Sequence, residues 1–383
     1  MDIMNKLHVA ILFGGISAEH EVSVISGLQV AENIDRDRYT PHVIYVSQGG
    51  EFKYFSSVES RSDFKSRESV LVGFGRDKHG AYIRPDKKFA NKIYIDAAYL
   101  AFHGGNGESG QIQGLMESLE IPYTSSTVEG SSIMMNKELT KILLKSAGIT
   151  VIPGISVRSS QISQDVNAVS KIIKSKISLP VIVKPAHLGS SIGIGIARTL
   201  IELQKALVAA SMVDDEIVVE ELQKNFVEYN CSVRMNNGSV ETSEVERPVS
   251  HDEILSFADK YQRGGNKKVG AGMASLNREL PAKISKELRD KIQSTALMVY
   301  QVCRAKGLIR VDFMKVGTKL YVTEVNPIPG SMSYYLGEAK GIPFREQISQ
   351  LIEEACRYES DRRKKKLVYE TDIVEKFVNS KRQ

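Results

Sequence analysis

The stretch Ile309-Arg-Val-Asp-Phe-Met-Lys-Val-Gly-Thr-Lys-Leu-Tyr-Val-Thr-Glu-Val-Asn326 sets polar side chains two apart near the ends of two β-like segments. A strand repeats every two residues, so Arg310 shares a face with Asp312, Glu324 shares one with Asn326, and Val311 and Val325 point the other way, into a core. If the segments Ile309 to Lys315 and Lys319 to Asn326 pair through Val316-Gly-Thr318, a guanidinium, two carboxylates and an amide line one site. Burying that set on apolar strands is costly unless something ligates it. Two carboxylates and an amide oxygen are hard ligands that suit Mg²⁺, which usually keeps waters and phosphate oxygens as well. A salt bridge between Arg310 and a carboxylate is the bland alternative.

Upstream, Val181-Ile-Val-Lys-Pro-Ala-His-Leu-Gly-Ser-Ser-Ile-Gly-Ile-Gly195 ends an apolar strand in a lysine and continues into a Gly/Ser turn. Exposed N–H groups and hydroxyls can cradle phosphate oxygens there, with Lys184 as a point charge. The run lacks GxxxxGK[ST], and it joins two strands rather than a strand and a helix, so it is neither a P-loop nor a dinucleotide fingerprint. A plain hairpin turn is the other reading. Downstream, Pro327-Ile-Pro-Gly-Ser331 stiffens a loop in which the Gly330 N–H can serve as an oxyanion donor or merely end a strand.

The N-terminal part reads as α/β. A buried strand over 7 to 13 breaks at Gly14-Gly15, a helix follows over Ala18 to Asn33, and a second strand over Val43 to Val46. A third strand, Tyr94 to Phe102, delivers His103-Gly-Gly-Asn-Gly-Glu-Ser-Gly110 before a helix over Gln111 to Leu119, so Glu19 and His103 should meet at one sheet edge. His103 suits either a substrate role or core packing. Residues 56 to 70 read as a loop or exposed hairpin.

A helix over Met135 to Ala147 precedes a second unit: a helix over Asp165 to Lys174, strands over Pro180 to Lys184, Ile192 to Ala197 and Glu216 to Glu220, and a helix over Ile201 to Ala210. Lys137 and Lys141 share a helical face, which either reaches a nucleotide phosphate or is solvated, and His187 either touches phosphate or faces water. A third unit beginning near Cys231 holds a long helix over Lys283 to Lys306 and the two late strands. The divisions expected are 1–130, 131–228, 229–357 and a tail, 358–383.

The chain has 383 residues, which at about 150 per domain is two to three domains. Its 51 Lys and Arg against 46 Asp and Glu leave +5, too small an excess to imply nucleic acid. Three cysteines without a CxxC pair argue against a disulfide scaffold or thiolate zinc site. No 18-residue apolar run and no leader-like cleavage site occur, so no membrane partner and a cytoplasmic location are expected. The tail, with Arg362-Arg-Lys-Lys-Lys366 and a helical pattern at Ile373 to Val378, is either a solvated end or a partner contact.

Taken together, Phe13-Gly-Gly-Ile-Ser-Ala-Glu-His-Glu-Val-Ser23, His103-Gly-Gly-Asn-Gly-Glu108, Met135-Asn-Lys137, Val183-Lys-Pro185 with Gly189-Ser-Ser-Ile-Gly193, Arg310-Val-Asp312, and Glu324-Val-Asn326 with Pro329-Gly330 follow one order. In that order they resemble the D-alanine:D-alanine ligase family of the ATP-grasp superfamily, over roughly residues 7 to 355. The resemblance implies an ATP-grasp fold, α/β and α+β, behind an open Rossmann-like N-terminal domain. It implies D-amino acid substrates, ATP, two Mg²⁺ ions with Mn²⁺ as a substitute, a D-alanyl phosphate intermediate, a dipeptide for peptidoglycan, and a homodimer. Glu19, assisted by Ser190, would hold the first substrate's ammonium, with His103 beside its carboxylate. Lys137 and Lys184 would contact phosphates under a flap containing Gly189, Ser190 and Ser191. Glu220, Glu221 and Leu222 would form the adenine-side hinge, and Glu228 would bind ribose. Asp312, Glu324 and Asn326 would hold the metal, and Arg310 with the Gly330 N–H would stabilise the tetrahedral intermediate.

Departures from the family pattern cluster near the second substrate. Ser109 stands where the family commonly has Asp, and Tyr335, within Gly330-Ser-Met-Ser-Tyr-Tyr-Leu336, stands at a position where it usually has a serine for the second carboxylate. Ser333, Tyr335 and Leu336 are the candidates for that pocket. Phe257-Ala-Asp-Lys-Tyr261 resembles a lid that brings Lys260 and Tyr261 over the site, although Gln262 to Met273 diverges. D-serine, D-lactate or another amino acid is the alternative second substrate, and an amide ligase outside wall synthesis is a further one. A non-catalytic nucleotide-binding paralogue would need broken metal or phosphate residues, and Lys184, Arg310, Asp312, Glu324 and Asn326 are intact.

Overall fold

An apolar run buried on both faces belongs in the middle of a parallel sheet, and Val9 to Phe13 are wholly buried in strand Leu7–Gly14. This strand pairs in parallel with Tyr39–Val46 on one side and Ala97–Leu100 on the other. In this computed structural model, which describes residues 6–56, 61–88, 90–249, 278–365 and 369–380, the seven-stranded sheet continues outward from Tyr39–Val46 through Phe52–Phe55, Ser69–Asp77, Gly80–Pro85 and Ile93–Tyr94. The third strand is shorter than the expected Tyr94 to Phe102. Gly14 has φ +94°, and a Cβ there would lie 2.2 Å from the Val46 carbonyl, so only glycine lets the chain leave the sheet for helix His20–Asn33.

The expectation of a loop or hairpin over 56 to 70 is corrected. Helix Arg61–Ser66 and the start of strand Ser69–Asp77 lie there. The physical reason is Phe64, the one aromatic in that polar run, which packs on Phe13, Tyr45 and Phe55 at centroid distances of 5.8, 5.4 and 5.1 Å. The single helix expected over Met135 to Ala147 is two, Val128–Met135 and Lys137–Ser146. Asn136 caps the second by accepting the Leu139 N–H at 3.0 Å, which fixes the break.

The middle unit is a four-stranded antiparallel sheet in the order Gly195–Ala197, Val181–Pro185, Glu216–Glu221, Gly154–Arg158. Helices Ser159–Lys176 and Leu200–Ser211 bury Ile162, Ile173, Leu203 and Leu207 against it. Thr199 starts the second helix with a capping box closed by Glu202.

The third sheet runs Ser239–Thr242, Phe226–Asn236, Leu308–Val316, Lys319–Asn326, so Cys231 is mid-strand rather than at a unit's start. Helix Lys286–Val302, capped by Ser285 and shorter than expected, covers one face over Val311, Phe313 and Val325. Each such fully buried side chain contributes about 1.5–3 kcal/mol. Helix Phe344–Arg363 returns Ile348, Leu351 and Ile352 to the N-terminal core, and its last turn ties Arg362 and Arg363 to Glu359. Helix Ile373–Ser380 is exposed throughout. Among the described residues no helix is long and apolar enough to cross a membrane.

Candidate active site

The two late strands pair Arg310 with Asn326 and Asp312 with Glu324, and they turn through Gly317 at φ +56°. Directly opposed residues have side chains about 5 Å apart, so all four polar groups converge on the face away from helix Lys286–Val302. Arg310 grips Asp312 through Nε at 2.6 Å and Nη2 at 2.8 Å, and Asn326 Nδ2 donates to Asp312 at 3.1 Å. The salt bridge weighed as an alternative is therefore made. It leaves Arg310 Nη1 buried without a hydrogen-bond partner and Glu324 3.0 Å from the Lys137 ammonium.

For a divalent cation the donor chemistry is suitable: two carboxylates and an amide on adjacent strands, at present neutralised by Lys137 and Arg310. Three or more acidic, His or Cys groups in one cluster do not occur among the described residues, so substrate oxygens or water would have to complete the shell.

A cleft separates the middle and third sheets, lined by Lys184, Glu220, Leu222 and Glu228 together with Asp312 and Glu324. The antiparallel pairing of Val181–Pro185 with Gly195–Ala197 makes the glycine run a flap over it, and Ser190 and Ser191 adopt φ +51° and +61°. Lys184 is paired with Glu220 at 2.8 Å, and Lys141 pairs with the same carboxylate while donating to the Ile152 carbonyl at 2.9 Å. Burial alone would raise Glu220, yet the two lysines hold it down to about 2. The solvated-face reading of Lys137 and Lys141 is thus corrected: both reach inward, Lys137 also donating to the Leu188 carbonyl at 2.6 Å. Glu220 is 1 % exposed and committed to its lysines, whereas Glu221 is exposed at the rim and Leu222 bonds Pro180 through its N–H. His187 keeps part of its side chain, 43 % exposed, in water. Its ring bonds Asp214 at 2.9 Å and Asn136 at 3.1 Å.

Arg310, Lys137, Gly189 and Glu324 also border a second compartment with Glu19, His103, Glu108, Ser190, Asn326 and Gly330. Ser190 donates its hydroxyl to Glu19, which joins the flap to the N-terminal domain. Gly189 lies so close that a Cβ would sit 2.8 Å from the Glu19 carboxylate. The His103 ring bonds Ser26 at 2.7 Å and the Ile328 carbonyl at 3.0 Å, and burial pulls it down to about 4, so it is neutral. Glu108 accepts the N–H groups of Gly104 at 2.6 Å and Ile328 at 3.0 Å. Burial, then the charge of Glu19, push it up to about 8 against those donors. Sequence reasoning quoted Glu108 inside a motif but assigned it nothing.

The remaining described second-substrate candidates lie beyond the second compartment's lining, and Glu246, the partner of Tyr335, lines the large cleft. The Tyr335 hydroxyl donates to Glu246 at 3.3 Å, and Arg278, 2.7 Å from Glu246, lies over the Tyr335 ring at 4.0 Å. Leu336 is fully buried with Leu280. Ser333 lines a separate cavity. Lys260 and Tyr261 lie outside the described residues. Glu246 and Arg278 were missed, because nothing in their sequence surroundings marks them as partners of Tyr335.

Comparison with known proteins adds to this geometry. A family model described as D-ala D-ala ligase N-terminus matches residues 8–126, and one described as D-ala D-ala ligase C-terminus matches residues 143–353. The chain is 34 % identical over 366 residues to a D-alanine–D-alanine ligase of Chlorobium chlorochromatii, covering 91 % of this chain and 98 % of that one. It is 32 % identical over 354 residues to the vancomycin/teicoplanin A-type resistance protein VanA of Enterococcus faecium, covering 91 % and 98 %. Among solved structures, the D-alanine-D-alanine ligase from Coxiella burnetii superposes with TM-score 0.78 at 24 % identity over 99 % of both chains. The VanG D-Ala:D-Ser ligase from Enterococcus faecalis gives 0.76 at 25 %, over 92 % of this chain and all of that one.

Proposed function

The chain belongs to the D-ala D-ala ligase family and is an ATP-grasp ligase of D-amino acids, and from that premise we propose that it joins D-alanine to D-alanine through a D-alanyl phosphate, for peptidoglycan precursors. The observation that carries the reading is that Arg310 and Glu324 border both compartments, so a phosphoryl group passing between them stays beside the same charges. A carboxylate and an amine do not condense unaided in water. Transfer of the terminal phosphoryl group of ATP to the first D-alanine supplies a leaving group, and such transfer depends chiefly on positioning and charge neutralisation.

In this reading Glu19, held by Ser190, receives the ammonium of the first D-alanine, and neutral His103 sits beside its carboxylate. Lys137 and Lys184 meet the phosphates, Glu221 and Leu222 border adenine, and Glu228 takes the ribose hydroxyls. Asp312, Glu324 and Asn326 hold Mg²⁺, which when bound neutralises phosphate charge. The amine of the second D-alanine attacks the acyl carbon, and the oxyanion that forms is met by Arg310 Nη1 and the Gly330 N–H before phosphate leaves. Lys260 and Tyr261 would belong to a lid that keeps water from the acyl phosphate.

Phosphate release from ATP, measured over pairs of D- and L-amino acids with products identified by mass, tests this. D-alanyl-D-alanine is expected, and absence of any ATP-dependent D-dipeptide or depsipeptide would overturn it. A second reading, D-serine or D-lactate as the second substrate, is favoured by Tyr335 at the family's serine position, and the same panel decides it.

A further inference from the structure

The face of the third sheet that carries Arg310 continues past it into a cavity that the reaction does not use. Strand Phe226–Asn236 pairs Ser232 with Arg310 and Arg234 with Leu308, so period two brings Ser232 and Arg234 onto that face. Ser333, Lys340 and Gln347 close the small cavity from the other side.

Three of its side chains carry polar atoms without a hydrogen-bond partner. Arg234 is 8 % exposed, and neither Nη1 nor Nη2 has a hydrogen-bond partner. Glu241 stands 3.9 Å away and is engaged by Asn236, while Glu346 acts on Arg234 only from beyond ion-pair distance. The hydroxyls of Ser232 and Ser333, 5 % and 2 % exposed, also have no partner. Lys340, which donates to the Thr242 carbonyl at 2.7 Å, adds a second positive charge at the wall. Burial pulls the Arg234 guanidinium below its ordinary value, as expected of a cation without full compensation. Glu241, which also lines the cavity, sets one carboxylate against the two cations Arg234 and Lys340.

We propose that this cavity binds a small monovalent inorganic anion of halide size, held by Arg234, Ser232 and Ser333. The site also has a neighbour that matters. Ser333 ends a run of three left-handed residues, Ser331, Met332 and Ser333 at φ +49°, +53° and +43°, that begins directly after Gly330. Non-glycine residues adopt this conformation only when their surroundings hold them there. An anion bound to Ser333 and Arg234 ties that loop to the sheet. The proposal concerns binding alone and stands or falls separately from the ligase reading.

Crystals of the full chain grown without halide and soaked in sodium bromide should show an anomalous peak within hydrogen-bond distance of Arg234 and Ser333. In solution, the wild-type melting temperature should rise by about 2 °C or more in sodium chloride relative to sodium gluconate at equal ionic strength. Ser333→Ala and Arg234→Leu should lose most of that difference. A cavity holding only water after the bromide soak overturns the proposal, as does a chloride effect that both variants retain. Should Arg234→Leu fail to fold, Ser333→Ala and the bromide map decide.

Discussion

The ammonium of Lys137, at the start of helix Lys137–Ser146, lies 3.0 Å from the Glu324 carboxylate on the last strand of the third sheet. It thereby bridges the cleft between the middle and third sheets and the second compartment, both of which the two residues line. In the proposed reading that cation holds the place metal and phosphate would share.

Glu324→Gln and Asn326→Ala should therefore lower ATP-dependent ligation by about 100-fold or more, since each removes a hard oxygen ligand or its charge. Phosphate-release rates at several Mg²⁺ concentrations provide the measurement. Wild-type turnover in either variant would dismiss these side chains as metal ligands.

Glu108 links pH to stability. Its folded value of about 8 lies above the ordinary 4.5, so the native state binds the extra proton between those limits. Stability from this group is thus full below about pH 4.5 and falls as pH rises towards 8. Glu108→Gln has no such proton to lose. Urea midpoints from pH 5.5 to 8.5 should fall with pH more steeply for wild type than for the variant, whose overall stability drops because one accepting oxygen is gone. Parallel curves would refute the assignment.

The buried triad Lys141–Glu220–Lys184 gives the opposite sign. Glu220 is depressed to about 2, so its contribution is present above the ordinary 4.5 and is lost as pH falls towards 2. Glu220→Gln leaves two buried ammonium groups without their shared carboxylate, and breaking a buried pair in this way costs about 3–5 kcal/mol. Equilibrium denaturation at pH 7 should register that loss, and adding Lys141→Met should restore part of it.

Tyr335 separates two roles. Tyr335→Phe removes the hydroxyl with its bond to Glu246, worth about 1 kcal/mol, and its contact with Arg278, and keeps the ring beneath that guanidinium. Tyr335→Ser removes the ring as well, and product ratios across D-alanine, D-serine and D-lactate should then shift. An unchanged product profile in Tyr335→Ser would exclude Tyr335 from second-substrate selection.

Much of the site was legible because it is local. Period two puts Arg310 with Asp312 and Glu324 with Asn326, but a regular hairpin from the Gly317 turn would oppose Asp312 with Thr323, and only the register shift beside Phe313, which skips Thr323, brings the two pairs onto one face. Lys184 before its glycine turn is equally local, since a strand end and the residues after it stay together whatever the rest of the chain does. Phe64 shows the limit: one aromatic among polar neighbours has no periodicity, and only the Phe13, Tyr45 and Phe55 rings it meets reveal why helix Arg61–Ser66 forms.

By itself, then, the order of residues determined the two polar pairs and the flap, which depend on neighbours within one strand or turn, and the family, which depends on the order of its motifs, whereas the bulge that skips Thr323 joined the two pairs into one row. Only the tertiary structure decided that Lys141 enters a buried triad, that buried Glu108 shares a compartment with the charge of Glu19, that Tyr335 turns to Glu246 and Arg278, and that Arg234 is buried with its Nη atoms lacking hydrogen-bond partners. Burial and charge at those atoms are set by groups on separate elements brought together by folding, and no spacing along the chain encodes that meeting.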